Sequence, residues 1–172
     1  VLCAVGRLAY EKGYDRLLKI HEKLLKEHIQ TSLWIVGEGI ERAKLEKYIK
    51  LHNLEETVKL IGYTSNPYKY INNSDIFVCS SRIEGLSTVV IEAAILQKPI
   101  VTTMCSGMKD ILGKDNLCAS IVPNNTKALY NGVKKLVLEE NLRRKYCEHI
   151  KEKSEKFDIN KVILDIEKLL EE

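Results

Sequence analysis

The sequence lacks the features that mark membrane-spanning, secreted and repetitive proteins. No apolar run approaches the length of a transmembrane helix, and there is no signal peptide, internal repeat, low-complexity segment or flexible linker. The 172 residues, of which 45% are hydrophobic and 30% charged, suit a single domain that buries its own core. Because the chain opens inside a predicted strand, we expect further residues before Val1, and the missing targeting signal does not decide the location.

Neither the net charge nor the spacing of the cysteines indicates nucleic-acid binding or a metal site. The net charge of +3 does not suggest nucleic acid binding, although it permits an anionic ligand or a weak attraction to acidic lipid. The cysteines show no metal-type pair spacing and most adjoin apolar runs, so we interpret them as buried thiols in a reducing cytoplasm. We therefore expect no metal and a cytoplasmic protein, either free or at the inner face of the membrane. The five cysteines are Cys3, Cys79, Cys105, Cys118 and Cys147.

The glycine-rich turns also lack the complete signatures of nucleotide-binding loops. Neither of them ends in Gly-Lys-Ser/Thr, which excludes a Walker A loop. Residues 37–42 follow a predicted strand and open a predicted helix, but Arg42 occupies the place of the third glycine of a dinucleotide-binding motif. We interpret this segment as a tight strand-to-helix turn near a ligand, with the dinucleotide-binding loop as the alternative.

Short apolar runs alternate with longer segments of helical periodicity, which predicts a parallel sheet. The predicted strands are residues 1–5, 32–36, 58–60, 76–79, 99–102 and 119–122. The predicted helices include residues 17–28, 43–54, 67–73, 89–96, 129–137 and 142–157, with a C-terminal helix in 158–172. This alternation predicts a single doubly wound α/β domain over residues 1–172.

Two carboxylates flank a small polar turn between the fourth predicted strand and the helix after it. In an open α/β sheet, ligands bind at the carboxyl ends of strands, where Glu84 would lie. Ser87 suits a helix N-cap, but Val90 takes the capping-box position, which leaves first-turn N–H groups available to an anion. The alternatives are a solvated loop carboxylate for Glu84 and a salt bridge to a neighbouring helix for Glu92.

Two cations follow the first predicted strand. That strand ends in Gly6, and Arg7 and Lys12 come before a second glycine, Gly13. A guanidinium binds phosphate oxygens as a fork and an ammonium binds them as a compact point charge, so the pair suits a diphosphate lying over the edge of the sheet. Ordinary exposed surface cations are the alternative.

Together, these segments resemble the C-terminal, donor-nucleotide half of a retaining GT-B glycosyltransferase. The group in question includes glycogen and sucrose synthases and bacterial polysaccharide glycosyltransferases. Each segment is weak evidence alone, but their order and spacing along essentially the whole chain are specific. The matching segments are residues 6–8, 11–13, 34–39, 61–63 and 84–92.

The resemblance implies a Rossmann-like fold and an enzyme that transfers a sugar from a nucleoside-diphosphate sugar to a saccharide or lipid-linked acceptor. It implies no cofactor and no metal requirement, because side-chain cations and a helix N-terminus would offset the diphosphate charge. The acceptor half would be the enzyme's own N-terminal domain, which this sequence does not contain. We therefore expect the fragment alone to be inactive, with a weak peripheral membrane contact open to the full-length enzyme.

The resemblance also assigns roles to individual residues. Glu84 corresponds to the family's first motif glutamate, which contacts the donor sugar and gives electrostatic help at the reaction centre, and we treat it as the catalytic residue. Glu92 corresponds to the residue that binds the ribose hydroxyls. The other donor-binding residues are Gly6, Arg7, Lys12, Ile61, Gly62, Gly85, Leu86, Ser87 and Thr88. Ile61 and Gly62 would lie near the nucleobase, beside Tyr63, which would either stack or cover the core edge.

Two other functions compete with this interpretation. A regulatory module could bind a nucleotide without catalysis, and a nucleotide-sugar epimerase could share the same architecture. Retention of both glutamates and both cations favours the transferase. The four histidines fall in predicted helical segments without a matched nucleophile, so no catalysis is assigned to them; they are His21, His28, His52 and His149.

The sequence departs from the family's pattern at three places. Gln97 stands where glycine usually precedes the next strand, and we expect this change to affect packing. Ser106 and Gly107 replace a glycine pair, and Asp110 falls where glutamate is usual. These last two changes lie near the expected sugar pocket, where they would alter the choice of donor.

Overall fold

Six short apolar runs form the strands of one parallel sheet. The computed structural model describes residues 1–113 and 115–154. The strands are Leu2–Val5 (β1), Leu33–Val36 (β2), Val58–Gly62 (β3), Ile76–Cys79 (β4), Ile100–Thr103 (β5) and Ala119–Val122 (β6). All six predicted strands are confirmed, with small differences at their ends.

The strand order is β3-β2-β1-β4-β5-β6. The chain therefore builds one half of the sheet outward from β1, returns to the centre, and builds the other half from β4. This is the doubly wound order in which the crevice outside the carboxyl ends of the two central strands receives the ligand. The predicted doubly wound α/β fold is confirmed.

Helices cover both faces of the sheet. They are Tyr14–Lys26 (α1), Arg42–Leu51 (α2), Tyr68–Asn72 (α3), Thr88–Ile95 (α4), Met108–Leu112 (α5), Thr126–Leu138 (α6) and Glu140–Ser154 (α7). A 3₁₀ turn, Tyr10–Lys12, precedes α1. The sequence pattern does not predict α5 or this turn, because both are too short to show a helical period. The helix predicted for residues 158–172 lies outside the described residues.

Alternate residues of each strand enter two separate hydrophobic clusters, one on each face of the sheet. In β1, Leu2 and Ala4 pack with α1 and α6, whereas Cys3 packs on the opposite face with α4 and α5. A sheet that is covered on both faces needs strands that are apolar throughout, and this explains why the strands read as uninterrupted apolar runs. Gln97, just after α4, has a left-handed φ of 55°, which explains why glycine is usual there.

The described residues contain five cysteines but no membrane-spanning helix and no metal-binding cluster. Within them, no helix has both the length and the apolar character needed to cross a bilayer. They also contain no group of three or more His, Cys, Asp or Glu side chains that could hold a metal ion. All five cysteines are free thiols; Cys3, Cys79 and Cys118 are buried, while Cys105 and Cys147 are only half-buried. The predicted burial is thus confirmed for three of the five thiols.

His21 is buried on the inner face of α1. Its Nε2 lies 3.0 Å from Thr57 Oγ1, and its Nδ1 lies 3.2 Å from Thr31 Oγ1. Burial next to these neutral partners lowers the pKa of His21 to about 4, so the imidazole is neutral in the folded protein near pH 7. His28 and His52 lie just beyond the ends of α1 and α2, so their predicted helical placement was wrong.

Candidate functional site

The loops that follow β1 and β4 meet at the point where the strand order of the sheet reverses. The Ser80 hydroxyl donates to the carbonyl of Lys12 at 2.8 Å. The guanidinium of the buried Arg16 donates to the carbonyls of Ser80 and Ser81 at 2.8 and 2.6 Å. These bonds hold the Lys12 segment against the end of β4, although the two are far apart in sequence.

Gly13 makes this close approach possible. Its φ of 68° is left-handed, and a Cβ at this position would lie 2.2 Å from the carbonyl oxygen of Ser80. Any other residue would strain the backbone and force the two loops apart. Gly13 therefore fixes Lys12 at the crevice.

Lys12 and Glu84 form an ion pair across this crevice. Lys12 Nζ lies 2.9 Å from Glu84 Oε1 and 2.8 Å from Oε2. The side chains are 22% and 9% exposed, so the pair is largely removed from solvent. The alternative of a solvated loop carboxylate is therefore excluded for Glu84, and a free surface position is excluded for Lys12.

The two predicted phosphate-binding cations pair with different carboxylates. Arg7 is 71% exposed, and its Nη2 donates to Glu11 Oε1 at 2.7 Å, one helical turn along the chain. Gly6 lies close to Lys12, since a Cβ on Gly6 would be 3.6 Å from Lys12 Cε. Of the residues predicted after β1, the structure thus brings Gly6 and Lys12 together, while Arg7 stays at the surface.

The N-terminus of α4 presents unbonded polar groups. Ser87 occupies the N-cap position, as predicted, but its hydroxyl makes no capping bond. That hydroxyl is buried and has no hydrogen-bond partner within the described chain. The N–H groups of Thr88 and Val89 also lack a backbone acceptor there, since the first bonds of the helix run from Val90 and Ile91 to the Ser87 carbonyl. A helix start with free donors favours an anion.

The first turn of α4 lies close to Lys12. Val89 and Lys12 line the same small cavity, together with Tyr14 and Ser80. Gly85, Leu86 and Thr88 are exposed at the entrance to this helix. The predicted cation and the predicted anion-binding helix start are therefore neighbours.

Glu92 lies on α4, one turn beyond that start. It is half-buried, and burial raises the pKa of its carboxyl. Within residues 1–113 and 115–154, its side chain has neither an ion-pair partner nor a hydrogen-bond partner. The alternative of a salt bridge to a neighbouring helix is therefore not observed there. A partly desolvated carboxylate with open acceptor sites suits a hydroxyl donor.

Ile61 and Gly62 lie at the carboxyl end of β3, two strands from β1. The Gly37 N–H donates to the Gly62 carbonyl at 2.9 Å, which joins this position to the turn after β2. The structure does not bring these residues into contact with Lys12 or Glu84. Tyr63 is 81% exposed, so it does not cover the core edge.

The turn over residues 37–42 supports the loop that follows β1. The Leu8 N–H donates to the Glu38 carbonyl at 2.8 Å, and the Glu41 N–H donates to the Leu8 carbonyl at 2.9 Å. Arg42 forms ion pairs with Glu38 and Glu46 on its own side of the turn. These contacts are those of a tight strand-to-helix turn, as we interpreted the segment.

Arg82 is a residue of this site that the sequence analysis missed. Its guanidinium donates to both carboxylate oxygens of Asp15 at 2.8 Å and to the Tyr10 carbonyl at 2.7 Å. The guanidinium also stacks over the Tyr10 ring, 4.2 Å from its centre. These contacts tie the loop that carries Glu84 to the turn that carries Lys12. No local spacing could reveal them, because they depend on which strands are neighbours.

The loop after β5 also reaches the crevice. Gly107 has a φ of 75°, and a Cβ on it would lie 2.9 Å from the Gly85 carbonyl oxygen. Ser106 and Gly107, where the sequence departs from the family's pattern, are therefore adjacent to the predicted donor-binding turn of residues 85–88.

A cavity of about 510 Å³ lies at the amino ends of β4 and β5, away from the crevice, and is lined in part by Lys98, Arg143 and Cys147. Its cations already have partners: the backbone binds Lys98 and Arg143, and Arg144 pairs with Glu140. Lys98 Nζ donates to the carbonyls of Asn72 and Ser74, and Arg143 Nη1 donates to two carbonyls at the end of α6. The chemistry therefore favours the crevice at β1 and β4 over this larger cavity.

Comparison with known proteins identifies relatives along nearly the whole chain. Residues 1–156 match the model of the family described as Glycosyl transferases group 1. The N-acetylgalactosamine-N,N'-diacetylbacillosaminyl-diphospho-undecaprenol 4-alpha-N-acetylgalactosaminyltransferase of Campylobacter jejuni is 32% identical over 170 residues, which are 98% of this chain and 46% of that protein. This chain thus spans about half the length of that relative.

Solved structures show the same architecture. A Staphylococcus aureus TarM variant, in complex with Fondaparinux, alpha-GlcNAc-glycerol and UDP, superposes with a TM-score of 0.85 at 26% identity, over 95% of this chain and 34% of that one. Anabaena HepE superposes with a TM-score of 0.88 at 19% identity, over 99% of this chain and 48% of that one. The second likeness concerns the fold alone.

Proposed function

Since this chain belongs to the glycosyl transferases group 1 family and has the Rossmann-like fold of GT-B glycosyltransferases, we propose that it is the donor-binding domain of a retaining glycosyltransferase. Its ligand would be a nucleoside-diphosphate sugar. The whole enzyme would transfer that sugar, with retention of anomeric configuration, to a saccharide or a lipid-linked acceptor.

The observation that carries this proposal is the arrangement of Lys12 beside the first turn of α4. Lys12 and Val89 line one small cavity near the switch point of the sheet, and the start of α4 carries two N–H groups without a backbone acceptor and the buried, unpartnered Ser87 hydroxyl. Donors of this kind suit phosphate oxygens, and a helix N-terminus adds a favourable dipole. The likeness to TarM, whose complex contains UDP, supports the choice of a diphosphate.

The same groups suggest how diphosphate charge would be offset without a metal. Lys12 lies at the crevice, and Arg7, paired with Glu11, lies exposed on the surface of the same loop. Preorganised cations and dipoles stabilise developing negative charge on a leaving group in the way that a bound metal would. We therefore propose that the cations and the α4 start replace Mg²⁺ in the binding of the donor.

The remaining residues fit the other parts of a sugar nucleotide. Glu92 would accept hydrogen bonds from the ribose hydroxyls, which would supply the partners that its half-buried carboxylate needs. Ile61 and Gly62 would lie along the nucleobase, at the end of β3. Glu84 would accept hydrogen bonds from the sugar and place negative charge near the reacting carbon.

The acceptor would be bound by the enzyme's own N-terminal domain. The Campylobacter relative, of which this chain matches less than half, acts on a diphospho-undecaprenol-linked sugar, and this supports a lipid-linked or saccharide acceptor here. We place the full-length enzyme in the cytoplasm, with a peripheral contact at the inner face of the membrane when it meets such an acceptor.

Removing the Lys12 ammonium tests this assignment. Lys12→Ala should weaken UDP binding by roughly 1.5–3 kcal/mol, the value of a hydrogen bond to a charged group, while uridine binding stays unchanged. Arg7→Ala should act in the same direction but less strongly, because its charge is well exposed to solvent. Calorimetric titration of each variant with UDP and with uridine measures both effects.

Two control variants make the result specific. Lys19→Ala removes an exposed ammonium from α1 and should change neither affinity. Glu92→Gln should weaken UDP and uridine alike, since both carry the ribose. If Lys12→Ala weakened uridine as much as UDP, Lys12 would not contact the phosphates.

A further inference from the structure

We propose that the Lys12–Glu84 ion pair is exchangeable, and that it makes the site favour a sugar nucleotide over the bare nucleoside diphosphate. Glu84 would occupy Lys12 until a diphosphate takes its place, and the released carboxylate would then bind the sugar. This inference rests on the proposed function and concerns the regulation of the same site.

Glu84 occupies most of the hydrogen-bond donors of Lys12. Two of its three N–H donors point at the two oxygens of one carboxylate, at 2.9 and 2.8 Å. Within the described residues, Lys12 is the sole ion-pair and hydrogen-bonding partner of the Glu84 side chain. One N–H donor of Lys12 remains, but the two charges neutralise each other, so the pair offers no net charge to a ligand while the contact lasts.

A diphosphate near the start of α4 disturbs this balance. It brings negative charge close to Glu84, and the single positive charge of Lys12 cannot neutralise both anions. If Lys12 turns to the phosphate, the Glu84 carboxylate, which is 9% exposed in the ion pair, loses its partner. A buried acceptor that loses its donor carries a desolvation penalty, and this penalty opposes binding of the bare diphosphate.

A sugar on the diphosphate removes that penalty. Its hydroxyls donate to Glu84 at the moment when Lys12 leaves, so both charges end with partners. After transfer the sugar is gone, and Glu84 can reclaim Lys12 from the nucleoside diphosphate. The same ion pair would therefore strengthen binding of the donor before transfer and promote release of the nucleoside diphosphate after it.

The opposite arrangement would be a permanent pair in which Glu84 merely orients Lys12 toward the phosphate. The two cases predict opposite changes in the affinity for a bare diphosphate when the charge of Glu84 is removed. If Glu84 competes for Lys12, neutralising it strengthens the binding of a bare diphosphate. If Glu84 orients Lys12, neutralising it weakens that binding.

The test is a double-mutant cycle on UDP affinity, measured by calorimetry with the full 172-residue chain. Glu84→Gln keeps the shape of the side chain and removes its charge, and we expect it to bind UDP on the order of tenfold more tightly than the wild type. In a Lys12→Met background the same change should give a much smaller gain, because no ammonium is there to be released. Thermal unfolding of each variant establishes that it is folded.

Each other outcome overturns the exchange. Weaker UDP binding by Glu84→Gln would make Glu84 an orienting residue. Equal gains with and without Lys12 would reduce its role to plain repulsion of the phosphates. Failure of the wild type and every variant to bind UDP, GDP or ADP would instead refute the proposed function itself, and so would be distinguishable from the other two results.

Discussion

Purified as it stands, the chain is expected to form no glycosidic bond, even with a sugar nucleotide and an acceptor in excess. In a GT-B enzyme the reaction takes place in the cleft between two domains, and this chain, at 46% of the length of its Campylobacter relative, would supply one wall. Without a positioned acceptor, the activation free energy of transfer can be higher by roughly 7–11 kcal/mol. Turnover would then be too slow to detect. Mass spectrometry of the reaction mixture would measure the product.

The matched control is the full-length enzyme. There, Glu84→Ala should reduce transfer sharply, because it removes the carboxylate proposed to contact the donor sugar, whereas Lys19→Ala should leave transfer intact. Robust acceptor-dependent turnover by the isolated chain would contradict the division of roles between the two domains.

The second large effect is a loss of stability in mild acid that comes from His21. The folded protein holds this imidazole at a pKa of about 4, against an ordinary value of 6.5 in the unfolded chain. The unfolded state therefore binds the proton first, and stability that is fully present above pH 6.5 declines as the pH falls toward 4. The total corresponds to roughly 3 kcal/mol, lost at up to about 1.4 kcal/mol for each pH unit.

Urea unfolding at pH 7, 6 and 5 would measure this loss, in a range above the ordinary pKa of carboxylic acids. His21→Gln can still hydrogen-bond to Thr57 or Thr31 but cannot take up a proton, so its stability should change much less over the same range. Parallel pH profiles for the wild type and this variant would show that His21 is not the group responsible.

The fold was largely predictable because each strand is buried on both faces. Runs such as Ile76–Cys79 are apolar throughout and stand between longer helical patterns, so both the strands and the parallel sheet follow from local sequence. The helix Met108–Leu112 and the turn Tyr10–Lys12 were missed because each is shorter than the period that would reveal it.

The contacts of the site were less predictable than its members. Lys12 and Glu84 could both be placed at the carboxyl ends of strands, but that they meet depends on β1 and β4 being neighbours, which no local pattern encodes. The same holds for Arg82 and Asp15. For Ser87, the sequence predicted the N-cap position. That its hydroxyl is buried without a hydrogen-bond partner depends on tertiary packing and could not be predicted.

The most direct test of the proposed function is calorimetric titration of the wild-type chain with UDP, GDP and ADP, each with and without EDTA. We predict that at least one nucleoside diphosphate binds and that EDTA leaves its dissociation constant unchanged, since Lys12 and the start of α4 would carry the diphosphate. At a ligand concentration a hundredfold above that constant, the folded chain should gain about 2.7 kcal/mol of stability. Absence of binding by all three, or binding that EDTA abolishes, would contradict a metal-independent donor site at this crevice.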